Sequence, residues 1–281
     1  MAPRRSAEVT LMIRAAASAA RKLLRDFGEV EALQVSRKGP GDFVSKADRA
    51  AERMLAQDLH KARPDYGFLL EESGAIEGKD KDRRWIIDPL DGTTNFLHGF
   101  GHWAISIALE EEGEITHAIT FDPIKNELFT AEKGRGTFLN EQRIRVSGRK
   151  TLDRALVGCG LPVQTWPARA LGFNAEMDAV ADQVAGLRRL GTASLDLAYI
   201  AAGRMDGFWE YNLKPWDFAA GILMIREAGG RITRLEGDDD MFATGTIVAG
   251  THGVHQELAS TLINVRQKIA QTNPDSQTTS N

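Results

Sequence analysis

The segment Trp85-Ile86-Ile87-Asp88-Pro89-Leu90-Asp91-Gly92-Thr93-Thr94-Asn95-Phe96 constrains this chain more than any other. Its apolar run reads as a buried strand, and the run ends in two aspartates flanking a Pro-Leu pair. Like charges brought this close raise one another's pKa and oppose folding unless something positive sits between them. A hard divalent cation, which prefers oxygen ligands, supplies that charge. Pro89 fixes the backbone in a turn and has no N–H, which leaves the Leu90 carbonyl able to face the same ion. Gly92-Thr93-Thr94 then offers backbone N–H groups at an expected helix start, a setting that suits phosphate. The segment thus predicts a metal site and a phosphate site within a few residues of each other. Ordinary capping and turn roles are the alternative for Asp88 and Asp91.

Two further segments decide between these readings. Phe68-Leu69-Leu70 leads into Glu71-Glu72-Ser73, and far downstream Trp216-Asp217-Phe218-Ala219-Ala220-Gly221 is followed by Glu227-Ala228-Gly229-Gly230. Together with the first segment, in this order and spacing, the chain resembles the inositol monophosphatase family, the Mg²⁺-dependent, Li⁺-sensitive phosphatases, from about Asp42 to Gly250.

The resemblance implies an α/β fold, an αβαβα sandwich of helix pairs and sheets, and a homodimer. It implies a first Mg²⁺ held by Glu71, Asp88 and the Leu90 carbonyl, and a second held by Asp88, Asp91 and Asp217. A third, weaker metal near Glu71 is also implied, and Mn²⁺ is a possible substitute. Two cations a few ångströms apart suit in-line displacement at a phosphate monoester without a covalent intermediate. Glu71 is expected as general base toward the attacking water, oriented by Thr93, with Asp48 accepting the Thr93 hydroxyl proton. Gly92 and Thr93 N–H groups are expected on phosphate oxygens. Lys38 resembles the family's mobile catalytic-loop lysine, which covers the metal site on closure. Gly191-Thr192-Ala193 matches the segment that contacts inositol, and Glu210, seven residues before Asp217, stands where the family places a carboxylate for ring hydroxyls. Such a carboxylate discriminates polyol phosphates from alkyl phosphates. For Glu210 a solvated surface role is the alternative. Arg188 or Arg189 is expected at an interface or the pocket rim, with no choice between them.

The implied reaction is hydrolysis of a small phosphorylated polyol, myo-inositol 1-phosphate first. Histidinol phosphate, fructose 1,6-bisphosphate, NADP and 3′-phosphoadenosine phosphates are alternatives, because relatives share the metal motifs across substrates. A regulatory protein tied to the transcription machinery is the alternative of another class. The net charge of −4 and pI near 5.9 give no electrostatic footprint for nucleic acid. The single cysteine, Cys159, excludes an intrachain disulfide, fits a reducing, cytoplasmic setting and lies outside all three motifs. No apolar stretch is long enough to span a bilayer.

With 281 residues, the chain is expected as one compact unit of two halves, 1–150 and 151–271, with a disordered polar tail over 272–281. Val9, Met12, Ala16, Ala20, Leu23 and Phe27 recur at helical spacing up to Gly28, which predicts a first domain helix; a basic amphipathic transit peptide is the alternative. Lys38-Gly39-Pro40-Gly41-Asp42 is expected as a loop, and a helix from about Ser45, capped by Ser45 with Asp48. Strands are expected over 66–70 and 84–88, then an antiparallel meander from Ala104 to Val146, its last strand Thr137 to Val146. The second half alternates: strands over 155–158, 186–190, 206–210 and 247–249, and helices over 169–184, 194–202, 217–228 and 254–269.

Other features are discounted. Asp238-Asp239-Asp240 lacks the turn glycine of a calcium loop and reads as solvated. His98 and His102 stand among glycines with no Glu to complete a zinc motif, and Gly134-Arg135-Gly136 reads as a hairpin turn. Glu72 is assigned a structural role, since the family's ligand is the first of that pair. No Walker-type motif is present, so triphosphate hydrolysis is unsupported.

Overall fold

The computed structural model describes residues 5–30, 35–39, 42–161 and 172–272, with backbone alone for 35–39, 42–45 and 272. The elements are α1 (Ala7–Gly28), β1 (Val35–Gly39), β2 (Asp42–Ser45), α2 (Lys46–Ala62), β3 (Gly67–Leu70), β4 (Gly74–Ile76), β5 (Arg83–Asp91), α3 (Thr93–Leu97), β6 (Ala104–Glu111), β7 (Glu114–Asp122), β8 (Glu127–Glu132), β9 (Gly136–Leu139), β10 (Gln142–Ile144), β11 (Leu156–Cys159), α4 (Phe173–Ala181), β12 (Gly186–Arg188), α5 (Ala193–Ala201), β13 (Gly207–Glu210), α6 (Pro215–Glu227), β14 (Arg231–Thr233), α7 (Met241–Thr244), β15 (Ile247–Gly250) and α8 (His252–Thr272).

Alternating apolar faces stack these elements into layers. The first is the α1–α2 pair. The stripe Val9, Met12, Ala16, Ala20 and Leu23 is buried, with Ala15 and Ala19 beside it. Phe27 is half-buried, its ring 5.3 Å from Phe96 and 5.8 Å from Trp103. This segment is therefore a helix of the domain core. The next layer is an eight-stranded sheet in the order β10-β9-β8-β7-β6-β5-β3-β4. It is antiparallel throughout except where β3 runs parallel to β5. The third layer is α5 and α6. Every residue of α5 is buried, as befits a helix apolar on nearly all sides and covered on both faces. A five-stranded sheet, β12-β11-β13-β15-β14, follows, and α4 and α8 cover its far face. The result is the expected αβαβα sandwich.

Several boundaries differ from expectation. The loop expected at residues 38–42 begins inside a hairpin: Lys38 and Gly39 belong to β1 and Asp42 to β2, while 40–41 fall outside the described residues. Helix α2 starts at Lys46; the side chain of Ser45, its expected cap, is outside the description. The long strand expected from Thr137 splits into β9 and β10, because Asn140 and Glu141 both take positive φ (44° and 71°) in a tight turn. Residues 169–171 of the expected helix lie outside the described residues, and α4 begins at Phe173. Strands β4 and β14 and helix α7 are too short to carry a periodic signal. Thr272 is the last residue of α8, and the expected tail beyond it is outside the described residues. Among the described residues no helix is long and apolar enough to cross a membrane.

Candidate metal and phosphate site

Strand β5 does not stop at Asp88, as expected, but continues through Pro89 and Leu90 to Asp91. Asp88 pairs with Ser106 and Asp91 with Ala104, so the β5 side carries one residue more than β6 between those pairs. That is a β-bulge, and bulges tolerate proline because a ladder donor is not required there. The Leu90 N–H is satisfied locally, donating to Asp88 Oδ1 at 2.9 Å. The bulge kinks the strand end and buries Asp88 to 2 % exposure.

The neighbours of Asp88 follow from register. Leu70 of β3 pairs with Ile87 of parallel β5, so Glu71 leaves its strand beside Asp88. Glu52 of α2, itself 2 % exposed, holds that departure: its carboxylate accepts from the Glu72 N–H at 2.7 Å and the Ser73 hydroxyl at 2.5 Å. Arg49 reaches Glu72 at 3.3 Å, in line with a structural Glu72. On the other side of Asp88, the Ser106 hydroxyl donates to the Trp216 carbonyl at 3.4 Å, which brings the start of α6 close. Asp217 sits in that first turn and accepts from the Lys214 N–H at 2.7 Å.

The electrostatics record this convergence. Burial pushes the Asp88 carboxyl well above its ordinary range, and the charges of Glu71, Asp91, Asp217 and Asp48 push it further. Asp217 is likewise raised, by burial and then chiefly by Asp91. Asp91 rises to about 6 through burial, while N–H groups of Ser194, Ala193 and Gly92 oppose the rise. Segments distant in sequence thus press their carboxyl groups on one another. Among the described residues, no three His, Cys, Asp or Glu side chains are already posed as a finished ligand set.

Thr93 opens α3, a helix of five residues. Its hydroxyl lies 3.3 Å from Asp48 Oδ2 and 3.0 Å from the Leu90 carbonyl. Gly92, at φ 92°, is required here: a Cβ would stand 2.5 Å from Thr192 Oγ1 and 3.1 Å from the His102 carbonyl. Asn95, inside the motif but given no role from sequence, proves to be a latch. Its side-chain N–H₂ donates to the carbonyls of His102 (2.8 Å) and Leu190 (2.9 Å) and approaches Thr192 Oγ1 at 3.3 Å. Thr192 in turn donates to the His102 carbonyl at 3.0 Å. The Ser194 N–H donates to Asp91 Oδ2 at 2.7 Å. Gly191-Thr192-Ala193 is thereby fastened against Gly92–Asn95.

Glu210 ends β13 with its carboxyl group in the space left by Gly160, where a Cβ would fall 1.7 Å from Glu210 Cδ. Burial raises its pKa well above the usual value, and Asp196, Asp217 and Asp91 add to this while Arg189 opposes it. Glu210, half-buried, therefore lies within the electrostatic reach of the same acidic cluster. Arg189 extends toward Gly191, its Nη1 2.7 Å from that residue's Cβ position, and its charge acts on Glu210 and Asp196; Arg188 folds back on the Leu187 carbonyl at 2.9 Å. Asp196, 2 % exposed on α5, is an acid that sequence reasoning missed, since one aspartate in an apolar run carries no motif. The Cys159 thiol is pushed up to about 12 by burial, then by Glu210 and Asp196, which makes it a poor nucleophile.

The side chain of Lys38 is outside the description; its backbone lies on β1. Of the discounted features, the Asp238–Asp240 run is taken up by ion pairs, Arg234 with Asp238 at 2.6 Å and Arg226 with Asp239 at 2.9 Å; His98 is exposed, and buried His102 enters the latch through its backbone carbonyl.

The profile of the inositol monophosphatase family matches residues 5–271. The chain belongs to that family. An inositol-1-monophosphatase of Mesorhizobium japonicum is 53 % identical over 254 residues, covering 90 % of this chain and 95 % of the relative. A Nus factor SuhB of Pseudomonas aeruginosa is 44 % identical, covering 90 % and 95 %. Among solved structures, the extragenic suppressor protein suhB of Bartonella henselae superposes with a TM-score of 0.89 at 52 % identity, covering 92 % of this chain and 98 % of that one. The IMPase of Thermotoga maritima superposes at 0.85 with 31 % identity, covering 94 % and 100 %. This inositol monophosphatase family member is thus a metal-dependent phosphoric monoester hydrolase with the family's α/β architecture.

Proposed function

We propose that the chain hydrolyses myo-inositol 1-phosphate to inositol and phosphate with Mg²⁺ held at the Asp88 cluster. The observation that carries this reading is the joint pressure of Glu71, Asp91, Asp217 and Asp48 on buried Asp88. A cation relieves that charge, and an all-oxygen donor set suits Mg²⁺ or Mn²⁺ over softer metals. Glu71, Asp88 and the Leu90 carbonyl would hold one ion, Asp88, Asp91 and Asp217 another, with a weaker third near Glu71. Bound there, the cations would activate the attacking water and stabilise the departing alkoxide. Glu71 takes the proton of that water. Thr93 orients the water, its own hydroxyl hydrogen bonded toward Asp48. The N–H groups of Gly92 and Thr93 hold phosphoryl oxygens, while Gly191, Thr192, Ala193 and Glu210 receive the polyol. Mg²⁺ dependence, Li⁺ sensitivity, a homodimer and a cytoplasmic setting complete the reading, supported by family membership.

A substrate panel tests it. The highest kcat/KM is expected for myo-inositol 1-phosphate over histidinol phosphate, fructose 1,6-bisphosphate, NADP and 3′-phosphoadenosine phosphates, with inhibition by Li⁺. A higher value for histidinol phosphate would overturn the substrate assignment and leave the chemistry intact.

The relatives named Nus factor SuhB favour a second reading, association with the transcription machinery. A pull-down with Asp91→Asn separates the two: capture of transcription components that survives loss of turnover supports this second reading.

A further inference from the structure

Glu210 is followed at once by Tyr211, which is 6 % exposed. The Tyr211 hydroxyl donates to Glu176 Oε2 at 2.9 Å, and Arg266 Nε donates to Glu176 Oε1 at 2.7 Å. The Arg266 guanidinium carbon stands 4.4 Å from the Tyr211 ring centroid, within cation–π range. Phe173 meets the same ring edge-on at 6.3 Å. Glu176, on α4, is 1 % exposed, and a carboxylate buried that deeply is tolerated because both oxygens are occupied. Burial holds the phenol well above its ordinary pKa, so it remains the hydrogen donor.

This ion pair joins α4 to α8, and a fold anchor would need no more. Its third member, however, sits one peptide from Glu210. Directly beyond Tyr211, Asn212 turns the chain at φ 60°, and the Leu213 N–H is fixed on the Gly245 carbonyl at 3.0 Å. The chain beyond Tyr211 is thus constrained, and the Glu210 carboxyl group before it occupies the Gly160 space. With its side chain held by Glu176 and Arg266, Tyr211 anchors the end of β13 that carries Glu210 against α4 and α8.

We propose that the Tyr211–Glu176–Arg266 clamp is a positioning device for Glu210, and through it sets how strongly this enzyme distinguishes polyol phosphates from phosphates without ring hydroxyls. The inference rests on Glu210 as the contact for substrate hydroxyls.

Kinetics on two substrates at saturating Mg²⁺ test it: myo-inositol 1-phosphate, and p-nitrophenyl phosphate, which lacks the hydroxyls. Tyr211→Phe removes one hydrogen bond, and the expected result is a rise of about three- to tenfold in KM for the inositol ester with kcat held. Both constants for p-nitrophenyl phosphate stay at the native values. Glu176→Gln, a second variant, follows the same pattern. Glu210→Gln raises the same KM, and adding Tyr211→Phe to it changes nothing more, because the clamp acts through Glu210. If Glu210→Gln alone leaves that KM unchanged, the reading of Glu210 fails and the clamp's role goes with it. If Glu210→Gln raises KM and Tyr211→Phe does not, only the clamp is lost. Parallel losses on both substrates, or additive effects in the double variant, make the trio a fold anchor and overturn the proposal.

Discussion

The Thr93 hydroxyl lies 3.3 Å from Asp48 Oδ2, where the first turn of α2 meets the start of α3. The same oxygen is 3.0 Å from the Leu90 carbonyl, so one hydroxyl touches a buried acid and the kink of the bulge together. Thr93→Val keeps the volume and removes the hydroxyl. The expected loss in kcat is about a hundredfold, the usual scale for a positioned proton-transfer group, with Mg²⁺ affinity little changed. Thr93→Ser retains most of the activity. Steady-state kinetics against a Mg²⁺ titration check both.

Asp88 is where repulsion concentrates, and its removal separates stability from function. Asp88→Asn is expected to raise the unfolding free energy in chelator by about 1–3 kcal/mol, since a buried charge among like charges opposes folding. It is expected to abolish turnover and to weaken Mn²⁺ binding in calorimetric titration. A variant less stable than the native chain in chelator would contradict the electrostatic account.

Glu52 has no place in the family motifs, yet it holds the Glu72 N–H and the Ser73 hydroxyl. Glu52→Ala leaves both donors without their acceptor. A destabilisation of about 1–3 kcal/mol is expected from chemical denaturation. Because Glu71 begins the same turn, kcat falls as well, while Glu52→Gln, which keeps one acceptor oxygen, loses less of each.

His255 supplies a pH dependence remote from the acidic cluster. It is 3 % exposed, with Nε2 2.9 Å from Thr233 Oγ1. The Thr233 proton goes to the Arg234 carbonyl, which makes the histidine the donor to Thr233. Burial, then the charges of Arg231 and His252, lowers its pKa to about 4. That is below the unfolded value, so the fold prefers the neutral ring. The stabilisation is complete above about pH 6.5 and is lost as pH falls toward 4, up to about 3 kcal/mol in all. The stability advantage of the native chain over His255→Gln is therefore expected to shrink between pH 7.5 and 4.5. Denaturant midpoints of the two proteins, measured in parallel, cancel the opposing contribution of the raised carboxyl groups.

Much of the site was legible in the chain because its signals are local. Asp88-Pro89-Leu90-Asp91 and Trp216-Asp217 are strand and helix ends whose residue types betray their chemistry over a few positions. The layered fold was legible through the α1 stripe and the meander, where one face repeats at fixed spacing. Glu52, Asn95 and Asp196 were not. Each acts on a partner far along the chain, and an isolated polar residue in a helix has many uses.

The sequence by itself determined which segments alternate, where they end in carboxylates, and the family to which they belong. The tertiary structure alone decided that β5 runs on through a proline bulge, that Arg189 rather than Arg188 lies beside Gly191 and the charges of Glu210 and Asp196, and that Tyr211 is clamped behind Glu210. The physical reason is range. Propensity and periodicity act between neighbours in the chain, whereas register, burial and charge convergence exist only once distant segments share a space and exclude water from it.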